Sequence, residues 1–94
     1  VSVKVKFVGS FRSLAGRSAF ELELKKIMPM SEVVKSLVRK IPSLSHVLVD
    51  ASIETPKTSM LVLVNGKEIS VLNRFDTVIK DGDEIVFVPV VHGG

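Results

Sequence analysis

The chain contains no cysteine, tryptophan or tyrosine, and its aromatic residues are limited to five phenylalanines. Without cysteine there is no disulfide framework, no thiolate nucleophile and no cysteine-ligated metal. So few rings leave little on which bases could stack, and the basic residues are dispersed, with Lys25–Lys26 and Arg39–Lys40 the only adjacent pairs. Nucleic-acid binding is not expected. No apolar run approaches the roughly 18 residues that a membrane-crossing helix requires, and the alternating N-terminus is unlike a signal peptide. A soluble, cytoplasmic protein without a membrane partner is expected. A glycine-rich phosphate loop, a nucleophile with a Ser, His and Asp set, and zinc-type His and acid spacing are also missing. The two histidines, His46 and His92, lie far apart in sequence, so no metal site is expected; His46 reads as a loop residue and His92 as a polar spacer.

What the sequence does contain is the pattern of one small α+β domain. Ninety-four residues suffice for a single hydrophobic core and no second one. A net charge of +3 argues mildly for solubility or an acidic partner. Val1, Val3, Val5 and Phe7 alternate with Ser2, Lys4 and Lys6, the period-two signature of a strand with one buried face. Residues 9–18 break the alternation and read as a loop with a short helical turn around Leu14. Phe20, Leu22 and Leu24 then alternate with Glu21, Glu23 and Lys25, giving a second strand antiparallel to the first. Pro29 ends it. Ser31 is expected to cap a helix on which Val34, Leu37, Val38 and Ile41 form the buried stripe, and Pro42 stops that helix.

The signal weakens between Ser43 and Ser59. Leu44, Val47, Leu48 and Val49 could make a helical turn, and residues 50–58 read as an exposed loop. Met60 to Val64 is a continuous apolar run followed by Asn65–Gly66, a strong hairpin signal, and then Lys67, Glu68 and Ile69. Phe75, Val78 and Ile79 belong to a packed connection. Asp81, Gly82 and Asp83 form a turn into a final apolar strand, Ile85 to Val91, in which Pro89 removes a ladder donor. A sheet of about five strands with one main helix results. One helix covers one face only, yet both apolar strands are apolar at both parities. A partner-binding patch is therefore expected from Phe7, Leu61, Leu63, Val86 and Val88. The other possibility is that the loops between Ser43 and Thr58 fold over that face and make it core.

The chain stops at Gly93 and Gly94, directly after this strand. Glycines lack side chains, so such an end can enter a narrow cleft and carry the terminal carboxylate to a reactant. The carboxylate is ionised at neutral pH and a poor electrophile, so it needs activation.

The segment DGDEIVFVPVVHGG, together with FRSLAG from Phe11 to Gly16, resembles the MoaD/ThiS family of ubiquitin-like sulfur carriers, typified by the small subunit of molybdopterin synthase. Val90 stands where that family often has a second proline, and Val88 where a larger apolar residue is common. The resemblance implies a β-grasp fold over residues 1–94, with the first and last strands parallel at the centre of a mixed sheet and a flexible tail at residues 91–94. It implies that the Gly94 carboxylate is adenylated and then converted to a thiocarboxylate, with Gly93, His92 and Val91 forming the tail. Arg12 matches a basic residue of the family's first loop, and Arg12 and Pro89 join the expected partner interface. The chain itself is expected to bind no cofactor. ATP and Mg would be used by a separate adenylating enzyme of the ubiquitin-activating type, and sulfur would pass to a pterin precursor held by the molybdopterin synthase large subunit. Alternatives of the same tail chemistry are conjugation to lysines as a ubiquitin-like modifier, or sulfur supply to thiamine or tRNA. A valine at position 1 points to a processed or engineered start.

Overall fold

The computed structural model describes residues 1–50, 55–56 and 60–90. In chain order its elements are β1 (Ser2–Phe7), α1 (Ser10–Ala15), β2 (Ala19–Glu23), β3 (Met28–Pro29), α2 (Met30–Lys40), a 3-10 turn at Pro42–Leu44, α3 (Ser45–Leu48), β4 (Val49–Asp50), β5 (Thr55–Pro56), β6 (Met60–Val64), β7 (Lys67–Glu68), two 3-10 turns at Ile69–Val71 and Arg74–Asp76, β8 (Val78–Ile79) and β9 (Glu84–Pro89). Five strands form the main sheet in the order β2-β1-β9-β6-β7; β3 with β8 and β4 with β5 make two-residue ladders beside it. The last strand is therefore the central one. It runs parallel to β1, with Val5 opposite Ile85 and Phe7 opposite Phe87, and antiparallel to β6, with Leu61 opposite Val88 and Leu63 opposite Val86.

The alternation in β1 translates directly into burial. Val3, Val5 and Phe7 lie in the core while Lys4 and Lys6 are exposed on the other face. In α2, Met30, Val33, Val34 and Leu37 occupy one face at helical spacing and are fully buried. Leu44 and Leu48 are fully buried as well, and their turns pack against α1 and α2. The described part of the 43–58 segment thus thickens the helical layer and does not close over the opposite face. All buried residues belong to one cluster, in which the Phe7 and Phe87 rings stack with centroids 6.2 Å apart.

Several local expectations are corrected. Ser31 is not the cap of α2. The helix starts two residues earlier, its N-cap is Pro29, and no side chain caps it. The Met30 N–H donates instead to the Thr77 carbonyl at 2.8 Å, because the β3–β8 ladder brings Thr77 alongside. The Thr77 carbonyl thus takes up one of the helix's four orphan N-terminal donors, that of its first residue. The segment expected as an open loop contains a short ladder, with Val49 opposite Pro56 and Asp50 opposite Thr55; residues 51–54 and 57–59 lie outside the described residues. Ile69 opens a 3-10 turn instead of continuing β7, and Val78 is exposed while its neighbour Ile79 is buried.

Candidate functional site: the open sheet face and the end of β9

The turn before β9 fixes how that strand enters the sheet. The Ser2 N–H donates to Asp81 Oδ1 at 2.7 Å and the Lys80 N–H to Asp83 Oδ2 at 2.8 Å. Asn65 joins the same cluster: its amide nitrogen donates to Asp83 Oδ1 at 3.0 Å, and its amide oxygen accepts the Glu84 N–H at 2.9 Å. Both aspartates thus act as turn formers, as their position predicts. Asn65 and Gly66 take φ of 52° and 84°, the left-handed pair a two-residue hairpin turn needs. Two turns distant in sequence are thereby bolted together at one end of the central strand, and the register of β9 against β1 and β6 follows.

That register decides which side chains share the face opposite the helices. Leu61, Leu63, Val86 and Val88 are half-buried there as two directly opposed cross-strand pairs. Lys6 lies opposite Val86 on the flanking strand, and its ammonium pairs with Glu84 at 3.3 Å. An exposed ion pair of this kind adds little to stability. It does border the apolar patch with charge on the β1 side, while Glu68, opposite Leu63, borders it on the β7 side. Lys4 and Lys6 were not named as site residues from the sequence. The alternation of β1 already contained that information.

Phe7 does not belong to this face. It is only 3% exposed and lies in the helix-covered core against Phe87. The parallel register explains the correction: Phe7 is opposite Phe87, whereas Val86 and Val88 point the other way. The apolar patch is therefore made by β6 and β9, with β1 contributing lysines.

β9 ends at Pro89, half-buried and opposite Met60, and Val90 beyond it is exposed. Val91, His92, Gly93 and Gly94 lie outside the described residues. Arg12 is exposed on α1 and lines an open pocket of about 500 Å³ with Gly9, Ser13, Gly16 and Arg17. The Arg17 guanidinium sits 5.1 Å from the centre of the Phe20 ring. α1 packs against β9, so this pocket adjoins the end of the strand from which the chain leaves. His46 is exposed on α3. Among the described residues no three His, Cys, Asp or Glu side chains gather in a group that could hold a metal, and no helix is long and apolar enough to cross a membrane.

A mixed sheet with a parallel central pair, one long helix on one face and an apolar patch on the other defines a β-grasp, ubiquitin-like protein. The chain belongs to the ThiS family, whose model matches residues 5–94. It is a ubiquitin-like small protein of the sulfur-carrier and modifier type. The small archaeal modifier protein 1 of Methanosarcina acetivorans is 33% identical, with a TM-score of 0.85 over 100% of this chain and 97% of that one. A structure described as a putative molybdopterin converting factor, subunit 1, from Pyrococcus furiosus is 26% identical, with a TM-score of 0.74 over 97% of this chain and 99% of that one. Among curated proteins, a ubiquitin-related modifier 1 homolog of Caenorhabditis elegans is 28% identical over 100% of this chain and 97% of its own length.

Proposed function

We propose that this protein carries sulfur on the carboxylate of Gly94, as the small subunit of a molybdopterin synthase. A separate adenylating enzyme of the ubiquitin-activating type would join the carboxylate to AMP, using ATP and Mg and releasing pyrophosphate. The former carboxylate oxygen then leaves with AMP when a partner's persulfide attacks the acyl carbon. Cleavage of the resulting acyl persulfide by a second partner thiol leaves the thiocarboxylate and a disulfide. The thiocarboxylate would then deliver its sulfur to a pterin precursor on the large subunit. This chemistry needs cytoplasmic ATP and no cofactor on the chain itself.

The observation that carries this reading is the geometry of β9. The central strand presents Val86 and Val88 on an uncovered face and ends at the same side of the molecule as Arg12. A partner that docks on Leu61, Leu63, Val86 and Val88 therefore also meets Pro89 and the start of the tail. Ordering each tail residue costs about 1–2 kcal/mol of backbone entropy, which the docked body would supply. The match of a protein described as a molybdopterin converting factor subunit supports the choice of acceptor.

A second reading has its own support, since two of the full-length matches are named modifiers. In that reading a lysine amine attacks the same acyl adenylate and forms an isopeptide. Intact-mass analysis of the protein isolated from its own cells, with and without Gly94, separates the two. Replacement of one terminal oxygen by sulfur, dependent on Gly94, is the expected result. Gly94-dependent lysine adducts without that replacement would install the modifier reading, and neither product would refute both.

A further inference from the structure

Pro89 pairs with Met60 in the ladder but has no N–H to donate to it, so packing takes a larger part in holding it at the end of the sheet. Its packing partner is unusual. Gly9 has a φ of +60°, and a Cβ at that position would sit 3.2 Å from Pro89 Cγ and 3.7 Å from Cδ. A neighbouring bond holds the two segments together, the Val8 N–H donating to the Phe87 carbonyl at 3.2 Å, while the Gly9 carbonyl accepts the Arg12 N–H at 3.1 Å within the start of α1. Gly16, Gly66 and Gly82 also have positive φ, but a Cβ added to any of them meets nothing within 4 Å. Among the described glycines, Gly9 alone is required both by its backbone angle and by the close approach of another residue.

We propose that Gly9 is a positioning residue for the tail: it is the seat on which the Pro89 ring rests, and it sets the direction in which the chain leaves the sheet. The inference rests on the sulfur-carrier or modifier reading for its consequence, because in either chemistry the docked body fixes one end of the tail while the reacting carbonyl is at the other. A small error at Pro89 is carried along the following residues to the reaction. A Cβ at Gly9 would make the Pro89 ring give by a few tenths of an ångström; since displacements on the order of 1 Å can lower a rate about a hundredfold, a smaller loss is expected here. Gly9, on the loop between β1 and α1, lines the Arg12 pocket, but a Cβ there would meet none of Leu61, Leu63, Val86 and Val88, the apolar side chains that the partner docks on. Loss of the seat should therefore lower the rate of the chemical step and leave the affinity for the partner in place.

The test compares Gly9→Ala with Gly82→Ala in adenylation by the cognate activating enzyme, measured as ATP–pyrophosphate exchange. Both substitutions place alanine at positive φ, but Gly9, with ψ of −134°, lies outside the left-handed helical region, so Gly9→Ala should lower Tm by at least several degrees, while Gly82→Ala is the positive-φ control that meets no neighbour. For Gly9→Ala, kcat should fall roughly tenfold with KM within about twofold, and Gly82→Ala should change neither. Pro89→Ala keeps Gly9 and the backbone angle but empties the seat, so it should reproduce the loss of kcat even if Gly9→Ala does not fold. Resonances of Val88, Pro89 and Val90 should shift in Gly9→Ala and stay in place in Gly82→Ala. Equal kcat in Gly9→Ala and Gly82→Ala, or unshifted Pro89 and Val90 resonances, would overturn the proposal. A wild-type chain that is not adenylated at all would instead refute the carrier and modifier readings, and the resonance comparison would still decide whether Gly9 seats Pro89.

Discussion

At the scale of single residues, Asn65 does more than its position in a hairpin turn requires. It accepts a left-handed φ of 52°, which asparagine tolerates better than most residues, and its side chain also bridges Asp83 to the backbone of Glu84. Asn65→Ala loses two hydrogen bonds and acquires strain, so the expected loss is about 1–2 kcal/mol in denaturant unfolding. Asn65→Gly keeps the turn and loses the bridge, and should fall between alanine and the wild type. The Asn-Gly pair was legible as a turn because its signal is local. Its bridge to Asp83 was not, since 18 residues separate the two and only the folded sheet brings them together. Phe7 shows the same limit from the other side. Its alternation with Lys6 placed it on a strand and on one face, but which face carries the helices depends on how β1 pairs with β9.

At the scale of elements, α2 and the open sheet face respond to different substitutions. Spacing placed the buried face of α2 in part: Val34 and Leu37 are fully buried and Ile41 is buried at the C-cap, but Val38 is half-buried and Met30 and Val33 complete the stripe; its start differs because Ser31 is a good capping residue in isolation. Because Ser31 lies inside the helix and no side chain caps it, Ser31→Ala should change stability by less than about 0.5 kcal/mol, against the ~1 kcal/mol expected for a true cap. A larger loss on thermal unfolding would restore Ser31 to the capping role. On the opposite face, Leu61→Asp or Val88→Asp places a charge among half-buried side chains that no helix covers. Each should leave the thermal transition cooperative and weaken capture of the activating partner by at least about tenfold, read by calorimetric titration. Global unfolding of both variants would show instead that this face is part of the core.

At the scale of the whole molecule, a single cluster gathers residues from both ends of the chain, so stability is not divided among its parts. Phe87 is fully buried on the central strand and stacks on Phe7. Phe87→Ala should cost about 3–5 kcal/mol, a large share of the ~5–15 kcal/mol typical of small domains. Secondary and tertiary signals should be lost together, and separate transitions in far- and near-ultraviolet circular dichroism would show a divided core. The fold also alters the reading of charge. Lys25–Lys26 and Arg39–Lys40 look dispersed along the chain, yet all four line one open groove between the end of β2 and α2, over a floor that includes Leu22, Leu24 and Met28.

Periodicity and turn chemistry by themselves determined the α+β class, the main strands, the long helix and the two turns around β9, because each depends on residues close in sequence. The FRSLAG and DGDEIVFVPVVHGG segments likewise sufficed for the family. Tertiary structure alone decided that Phe7 is core, that the Thr77 carbonyl accepts the Met30 N–H, that the 43–50 segment joins the helical layer, and that Gly9 meets Pro89. Each of these depends on strand register and on the parallel pairing of the first strand with the last. A local pattern names the faces of a strand, but only its neighbours in space decide which face is covered.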